Sequence, residues 1–192
     1  MNVPYDPPYE PLFLATIAGL CGLGLRPRAA LELPSSQRRL DRIFALIRRC
    51  RYSIHDLSRV ELTDGVPRFN MPFELALAIA TSRGRGSRHE WWVLEASPYR
   101  LQQSLSDLNG TDPLIHRGQP LQMLQRLDGL FSRPTSPEIP LPAILALLQE
   151  RAPAVRNRYG DLYTPGGFRT LVYAATTLSD NLRREALRAE RS

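Results

Sequence analysis

The sequence predicts an α/β fold in which a short parallel sheet of about five strands packs against helices on both faces. Short apolar segments alternate along the chain with longer segments of helical periodicity, which is typical of repeated strand–helix units. The clearest strand is EWWVLEA at 90–96, and the clearest helix ends near Cys50, after apolar residues spaced three and four positions apart. A chain of 192 residues can bury such a core without disulfides or a structural metal.

The remaining elements follow from the same patterns, in chain order. The first strand is expected to be a stub that ends at Asp6, because alternation there covers only a few residues. Ser35 or Ser36 is expected to cap the second helix. Predicted strands lie at 1–6, 28–33, 51–57, 90–96 and 114–116. Predicted helices lie at 9–23, 36–50, 72–82, 99–108, 121–131, 141–157 and 166–189.

The distribution of proline indicates how the chain is divided. Four prolines between residues 132 and 142 are typical of a linker. We therefore expect one domain at 1–132, followed at 133–192 by a proline-rich linker and a helical extension that packs on the domain.

The composition limits the classes of function. The net charge is +6 and all 25 basic residues are arginine, but they are scattered, and many alternate with acidic residues on helix faces. We therefore expect a solvated surface, with a phosphate-bearing ligand as the alternative, and we do not expect nucleic acid as a partner. Two cysteines without zinc-binding spacing favour a reducing compartment. Because no secretory leader or membrane-length apolar run is present, we expect a cytoplasmic protein without a membrane span, metal or cofactor.

Two carboxylates are the strongest candidates for chemistry. Asp56 ends a predicted strand, and Glu74 lies in the first turn of the helix that follows. The helix dipole favours a carboxylate there by about 0.3–1 kcal/mol, so we expect Glu74 to be ionised. Asp6, Asp56 and the segment 58–74 should share the carboxyl edge of the sheet, where ligands bind in such folds. The alternative is that Glu74 is a capping glutamate and that Asp56 caps a loop.

Four further residues near this edge have both functional and structural interpretations. Arg68 could pair with a phosphate or with Glu74, and Asn70 is the expected N-cap of the helix. Both are also candidate contacts to the substrate. His116 follows the last strand and could contact a ligand at the same edge. His55 points away from Asp56 on the strand, so a structural role is expected.

The order of these features resembles one known family. A strand ending in Asp56, a polar loop and a helix that opens with FELALAIA, around Glu74, are similar to the nucleoside 2-deoxyribosyltransferases, relatives of TIR domains. The resemblance covers about residues 1–120 and implies a flavodoxin-like three-layer sandwich. It also implies that Glu74 is the nucleophile and Asp56 a sugar-side carboxylate. Tyr5 would then lie near the base, and Asp6 would be a base-side or proton-transfer group. Ala76 is a departure, since glycine is common at that position of the family.

Three hypotheses about function follow. The first is an N-glycosidic-bond enzyme, a hydrolase or transferase acting on a nucleoside, a nucleotide or NAD through Glu74. The alternative is a non-catalytic nucleotide-sensing or scaffold domain that acts through homo-oligomerisation. A third reading, an arginine-rich nucleic-acid binder, would require steeply salt-dependent affinity.

Overall fold

The computed structural model describes residues 1–33, 39–60, 62–63, 66–134 and 137–189. The chain forms two compact units. The first contains Met1–Pro4 and Arg28–Arg117, and the second contains Tyr5–Pro27 and Gly118–Ser192. The boundary predicted between residues 132 and 133 lies inside the second unit.

The first unit holds every strand of the described chain. The strands are β1 (Tyr52–Asp56), β2 (Leu62–Thr63), β3 (Val66–Pro67), β4 (Glu90–Glu95) and β5 (Leu114–Ile115). The α-helices of the described residues, in both units, are α1 (Glu10–Gly22), α2 (Arg39–Arg49), α3 (Asn70–Ser82), α4 (Arg100–Ser104), α5 (Pro120–Phe131), α6 (Leu141–Tyr159) and α7 (Pro165–Ala189). Three 3₁₀ helices span Pro7–Tyr9, Ala30–Glu32 and Ser106–Leu108.

The main sheet is parallel, as predicted, but it is smaller than predicted. Within the described residues it has three strands in the order β1-β4-β5, and β2 pairs with β3 in a separate antiparallel ribbon. The predicted α/β class is therefore confirmed, and the prediction of five strands in the main sheet is wrong. The central pair is in register from Tyr52 opposite Glu90 to Asp56 opposite Leu94.

Both missing strands come from the beginning of the chain. The predicted strand at 1–6 is reduced to one bridge, in which the Asn2 N–H donates to the Ile54 carbonyl and the Asn2 carbonyl accepts from the Asp56 N–H, both at 2.9 Å. The predicted strand at 28–33 instead forms the 3₁₀ helix Ala30–Glu32. The Glu32 carboxylate accepts bonds from the Ala29 N–H at 3.3 Å and from Arg28 Nε at 2.7 Å, which favours a local turn over a ladder.

Most predicted helices are present, with small shifts at their ends. The predicted helix at 99–108 is broken at Leu105 (φ −133°, ψ 69°) into α4 and a 3₁₀ turn. Asn70 is the first residue of α3 rather than its cap, because Phe69 holds the N-cap position without a side-chain bond. The predicted caps Ser35 and Ser36 lie outside the described residues.

Two apolar clusters on one face of the sheet hold the first unit together. One joins the sheet to α3 and α4, and the other joins α2 to α3. Trp91 packs against both, although it is only half-buried. The buried members are Leu57, Met71, Leu75, Val93 and Leu101 in the first cluster, and Ala30, Ile43, Ile47 and Ala78 in the second.

The second unit is a helical bundle around α1, which contacts α5, α6 and α7. Every residue of α1 from Leu12 to Gly22 is buried, as expected of a central helix with apolar residues on all sides. At its polar end, Glu10 accepts two bonds from Arg156 Nη1, at 2.5 and 2.6 Å. Across the described helices of the chain, none combines the length and apolar character that crossing a membrane requires.

Candidate functional site

Glu74 lies on α3 and faces a small cavity beside the sheet. The cavity has a volume of about 40 Å³, and its polar lining includes Asn2, Tyr52, Ser53 and His55. Asp56 does not line it. Successive residues of a strand point to opposite faces, so His55 and Asp56 are separated by the sheet. The structure therefore does not bring the two candidate carboxylates into one cavity.

Glu74 is half-buried, and its electrostatic environment differs from the expected one. It is the fifth residue of α3, since the helix begins at Asn70, and the first turn of that helix contains no acidic residue. The favourable effect of the helix dipole is confined to the first turn. Burial raises the pKa of Glu74, and this outweighs the opposing effects of the chain's amino terminus and Arg39. The predicted place of Glu74 in the first turn of the helix is therefore wrong, and burial favours its neutral form.

The polar groups beside Glu74 form a buried hydrogen-bond chain. His89 Nδ1 lies 2.8 Å from the Cys50 carbonyl oxygen, and His89 Nε2 lies 3.0 Å from Ser53 Oγ. Ser53 Oγ lies 2.9 Å from His55 Nε2, and His55 Nδ1 lies 3.1 Å from Asn2 Nδ2. This chain of hydrogen bonds thus connects Cys50, just before β1, with Asn2 in the lining of the Glu74 cavity.

Only one arrangement of protons satisfies this chain with neutral histidines. The Cys50 carbonyl can only accept, so His89 carries its proton on Nδ1, and its Nε2 accepts from the Ser53 hydroxyl. The amide nitrogen of Asn2 can only donate, so His55 accepts on Nδ1 and donates from Nε2 to Ser53. Burial, with the amino terminus and His89, lowers the pKa of His55 to about 3, in agreement with a neutral ring. The structural role expected for His55 is therefore supported by its contacts.

Asp56 belongs to a second cluster, at the carboxyl edge of the sheet. One of its oxygens accepts from the Ser58 N–H at 2.9 Å, and the other lies 3.0 Å from His116 Nε2. The side chains of Asp56 and His116 are both 0% exposed. The structure therefore joins two of the predicted site residues in a buried pair that no bulk solvent reaches.

Glu95 is a member of this cluster that sequence reasoning missed. It is the last residue of β4, and burial raises its pKa to about 7, with a further increase from Asp56 and opposing effects from Arg100 and His116. Its Oε2 accepts no hydrogen bond within the described part of the chain and lies 3.9 Å from Arg100 Nε. Its position at the end of the clearest predicted strand was the available sequence signal. Each strand of the parallel sheet thus ends at, or just before, an ionisable side chain.

The loops at this edge hold two left-handed residues. Tyr99, before α4, has φ 65°, and Arg117, directly after His116, has φ 54°. Non-glycine residues adopt this conformation at a cost and are concentrated at functional sites. Arg100, next to Tyr99, donates from Nη1 to the Ser58 carbonyl at 3.1 Å, which connects the loops after β1 and β4.

The remaining predicted site residues lie elsewhere. Tyr5 and Asp6 belong to the second unit, where the Tyr5 ring packs near Phe13 and Asp6 caps the 3₁₀ helix Pro7–Tyr9. Arg68 is half-buried just after β3, and its N–H donates to the Val60 carbonyl at 3.4 Å. Asn70 is exposed at the start of α3.

Comparison with protein-family models, with curated proteins and with solved structures finds no match to this chain.

Two kinds of chemistry remain available to these residues. The described side chains contain no group of three or more His, Cys, Asp or Glu that could hold a metal ion. Glu74 offers a partly desolvated carboxylate next to a cavity, which is the environment of a nucleophile or an electrostatic stabiliser. Asp56, Glu95 and His116 form an acid–base cluster that is closed to solvent.

Proposed function

We propose that the protein is an N-glycosidic-bond enzyme that acts on a nucleoside, a nucleotide or NAD, with Glu74 as the reacting carboxylate. One observation carries the proposal. Glu74 faces the cavity and accepts no hydrogen bond from the described residues, whereas its neighbours Asn2, Ser53 and His55 are bonded to one another. A carboxylate left available beside paired neighbours is suited to react with a bound ligand.

The reaction would proceed at the anomeric carbon of the sugar. An oxygen of Glu74 forms an ester bond to that carbon while the bond to the base nitrogen breaks, and its electron pair leaves with the base. Water or a second base then attacks the same carbon, breaks the ester and restores the carboxylate. Hydrolysis and transfer differ only in this acceptor, as in retaining glycosidases.

Asp56 has a different role in this proposal from the one that the family resemblance implies. Because it is enclosed by Ser58 and His116, it would hold the end of β1 rather than contact the sugar. The parallel strands, with α3 following β1 in the chain, support a flavodoxin-like arrangement as part of the proposal. The family resemblance itself stays a prediction.

The size of the cavity sets a further requirement. A volume of about 40 Å³ accommodates a water molecule or two, whereas small-molecule sites usually occupy about 300–1,000 Å³. Productive binding therefore requires the lining to open. Ala30, Ile43 and Ile47 line the cavity from the 3₁₀ helix Ala30–Glu32 and from α2, so these elements would have to move.

The proposal is tested by measuring base release from NAD and from a panel of nucleosides. The Glu74→Gln variant keeps the shape of the side chain but removes the nucleophile, so we expect the rate to fall by at least about a hundredfold. Glu150→Gln, the same change at an exposed position of α6, is the control and should leave the rate unchanged. Full activity in Glu74→Gln would exclude the mechanism. Ligand-dependent self-association without base release would instead support the sensing and scaffold alternative.

A further inference from the structure

A large basic groove lies at the opposite edge of the sheet, where β1 and β4 begin. Its volume is about 580 Å³, and its lining, among the described residues, contains five arginines and no acidic residue. The five arginines are Arg48, Arg49, Arg51, Arg85 and Arg88.

The arginines come from two segments of the chain. Arg48 and Arg49 lie in the last turn of α2, Arg51 directly precedes β1, and Arg85 and Arg88 lie in the loop between α3 and β4. The amino ends of parallel strands share one edge, which brings these segments together. In the sequence these residues form two short groups, at 48–51 and 85–88, and the fold brings the two groups to one edge of the sheet.

The charge of the groove is poorly neutralised. All five arginines are exposed. Within the described residues, these arginines form one ion pair, between Arg51 Nη2 and Glu90 Oε1 at 3.8 Å, and both of its side chains are exposed. Arg85 and Arg88 make no ion pair with the described part of the chain. Helix-terminal placement explains Arg48 and Arg49, but it explains none of the other three.

The lining of the groove combines the arginines with the aromatic ring of Phe44. Guanidinium groups bind phosphate oxygens through paired N–H donors. Phe44 is partly exposed in the lining, with the Arg48 guanidinium 5.8 Å from its ring centroid, so one face of the ring can stack against a flat base. The volume lies within the usual range for small-molecule sites, about 300–1,000 Å³.

We propose that this groove binds a nucleoside polyphosphate, with the arginines on the phosphates and Phe44 beside the base. The site is separate from Glu74 and does not rest on the function proposed above. It shares Cys50 with the Glu74 cavity, and His89 in its lining begins the buried hydrogen-bond chain that reaches that cavity. A ligand in the groove would therefore contact one end of a continuous polar connection.

The test is a titration of the full chain with ATP and with inorganic triphosphate, at low and at physiological salt. We expect both to bind, with affinity that falls as salt rises. The double change Arg85→Gln and Arg88→Gln should weaken both by at least about tenfold. The control, Arg133→Gln and Arg151→Gln, removes the same charge from exposed positions of the second unit and should leave affinity unchanged. Equal losses of affinity in the two double variants, or no loss in either, would contradict the proposed binding site.

The base contact has its own test. Phe44→Ala should weaken ATP but leave inorganic triphosphate unchanged, because only ATP carries a base. Equal effects on both ligands, or no effect on ATP, would contradict the nucleoside part of the proposal. Displacement of ATP by a short single-stranded oligonucleotide that binds far more tightly would assign the groove to nucleic acid instead and overturn the proposal.

Discussion

At the scale of single residues, burial decides the behaviour of the two glutamates that matter most. Glu74 and Glu95 both have a raised pKa because their carboxylates are desolvated, and in each case burial outweighs the opposing effect of nearby cations. Sequence reasoning treated Glu74 as a helix-terminal carboxylate and passed over Glu95. Desolvation depends on how elements pack, which spacing along the chain does not reveal.

Glu95 should make stability depend on pH. Its folded-state pKa of about 7 lies above the ordinary value of 4.5, so protonation favours the folded state. The associated stability is fully present below pH 4.5 and is lost as pH rises through 7. We expect the free energy of unfolding to fall by on the order of 3 kcal/mol across this range. Urea unfolding at several pH values should show this fall in the wild type and a much smaller one in Glu95→Gln. Glu90→Gln, an exposed neighbour on the same strand, should retain the full fall, and a flat wild-type profile would contradict the interpretation.

Ser53 is the second residue for which the structure predicts how a substitution changes stability. Replacing it with alanine leaves His55 Nε2 and His89 Nε2 without their common partner in a buried site. An unsatisfied buried polar group costs about 1–3 kcal/mol, so Ser53→Ala should lower the free energy of unfolding by at least that amount. Ser97→Ala, at an exposed position after β4, should change it by less than about 0.5 kcal/mol. Equal stability of the two variants would show that the hydrogen-bond chain contributes nothing.

At the scale of elements, sequence patterns correctly predicted the segments with a strong internal periodicity. They failed where local hydrogen bonds compete with strand pairing. The central strands β1 and β4 and the long helices α6 and α7 were predicted close to their observed bounds. The segment 28–33 was misread because its apolar residues suit a strand, whereas the Glu32 carboxylate stabilises a turn. Strand pairing also requires a partner, and within the described ranges a single bridge at Asn2 extends the sheet beyond β1.

Helix packing in the second unit gives a prediction at this scale. A Cβ at Gly167, near the start of α7, would lie 2.7 Å from the backbone oxygens of Asp161 and Leu162, which have no freedom to move aside. Gly167→Ala should therefore lower the free energy of unfolding by on the order of 1–3 kcal/mol. Gly129→Ala, in α5, meets no atom within 4 Å and should raise it by about 0.5–1 kcal/mol. Thermal or denaturant unfolding of both variants tests the pair, and a loss of stability in both would contradict the packing.

At the scale of the whole molecule, topology decides which residues meet. The predicted carboxyl edge does gather Asp56 and His116, because parallel strands end together. Glu74 does not lie with them. The face that Glu74 reaches depends on how α3 packs across the sheet, and the sequence pattern does not specify that packing. The same topology brings two short arginine-rich segments together at the opposite edge. The predicted self-association stays a prediction.

The pH dependence of base release tests the role of Glu74 most directly. A nucleophilic carboxylate must be ionised, so the rate should rise with pH through an apparent pKa above the ordinary value of 4.5, and this limb should vanish in Glu74→Gln. A wild-type rate that is independent of pH in this range, or a variant that keeps the same profile, would show that another group performs the reaction.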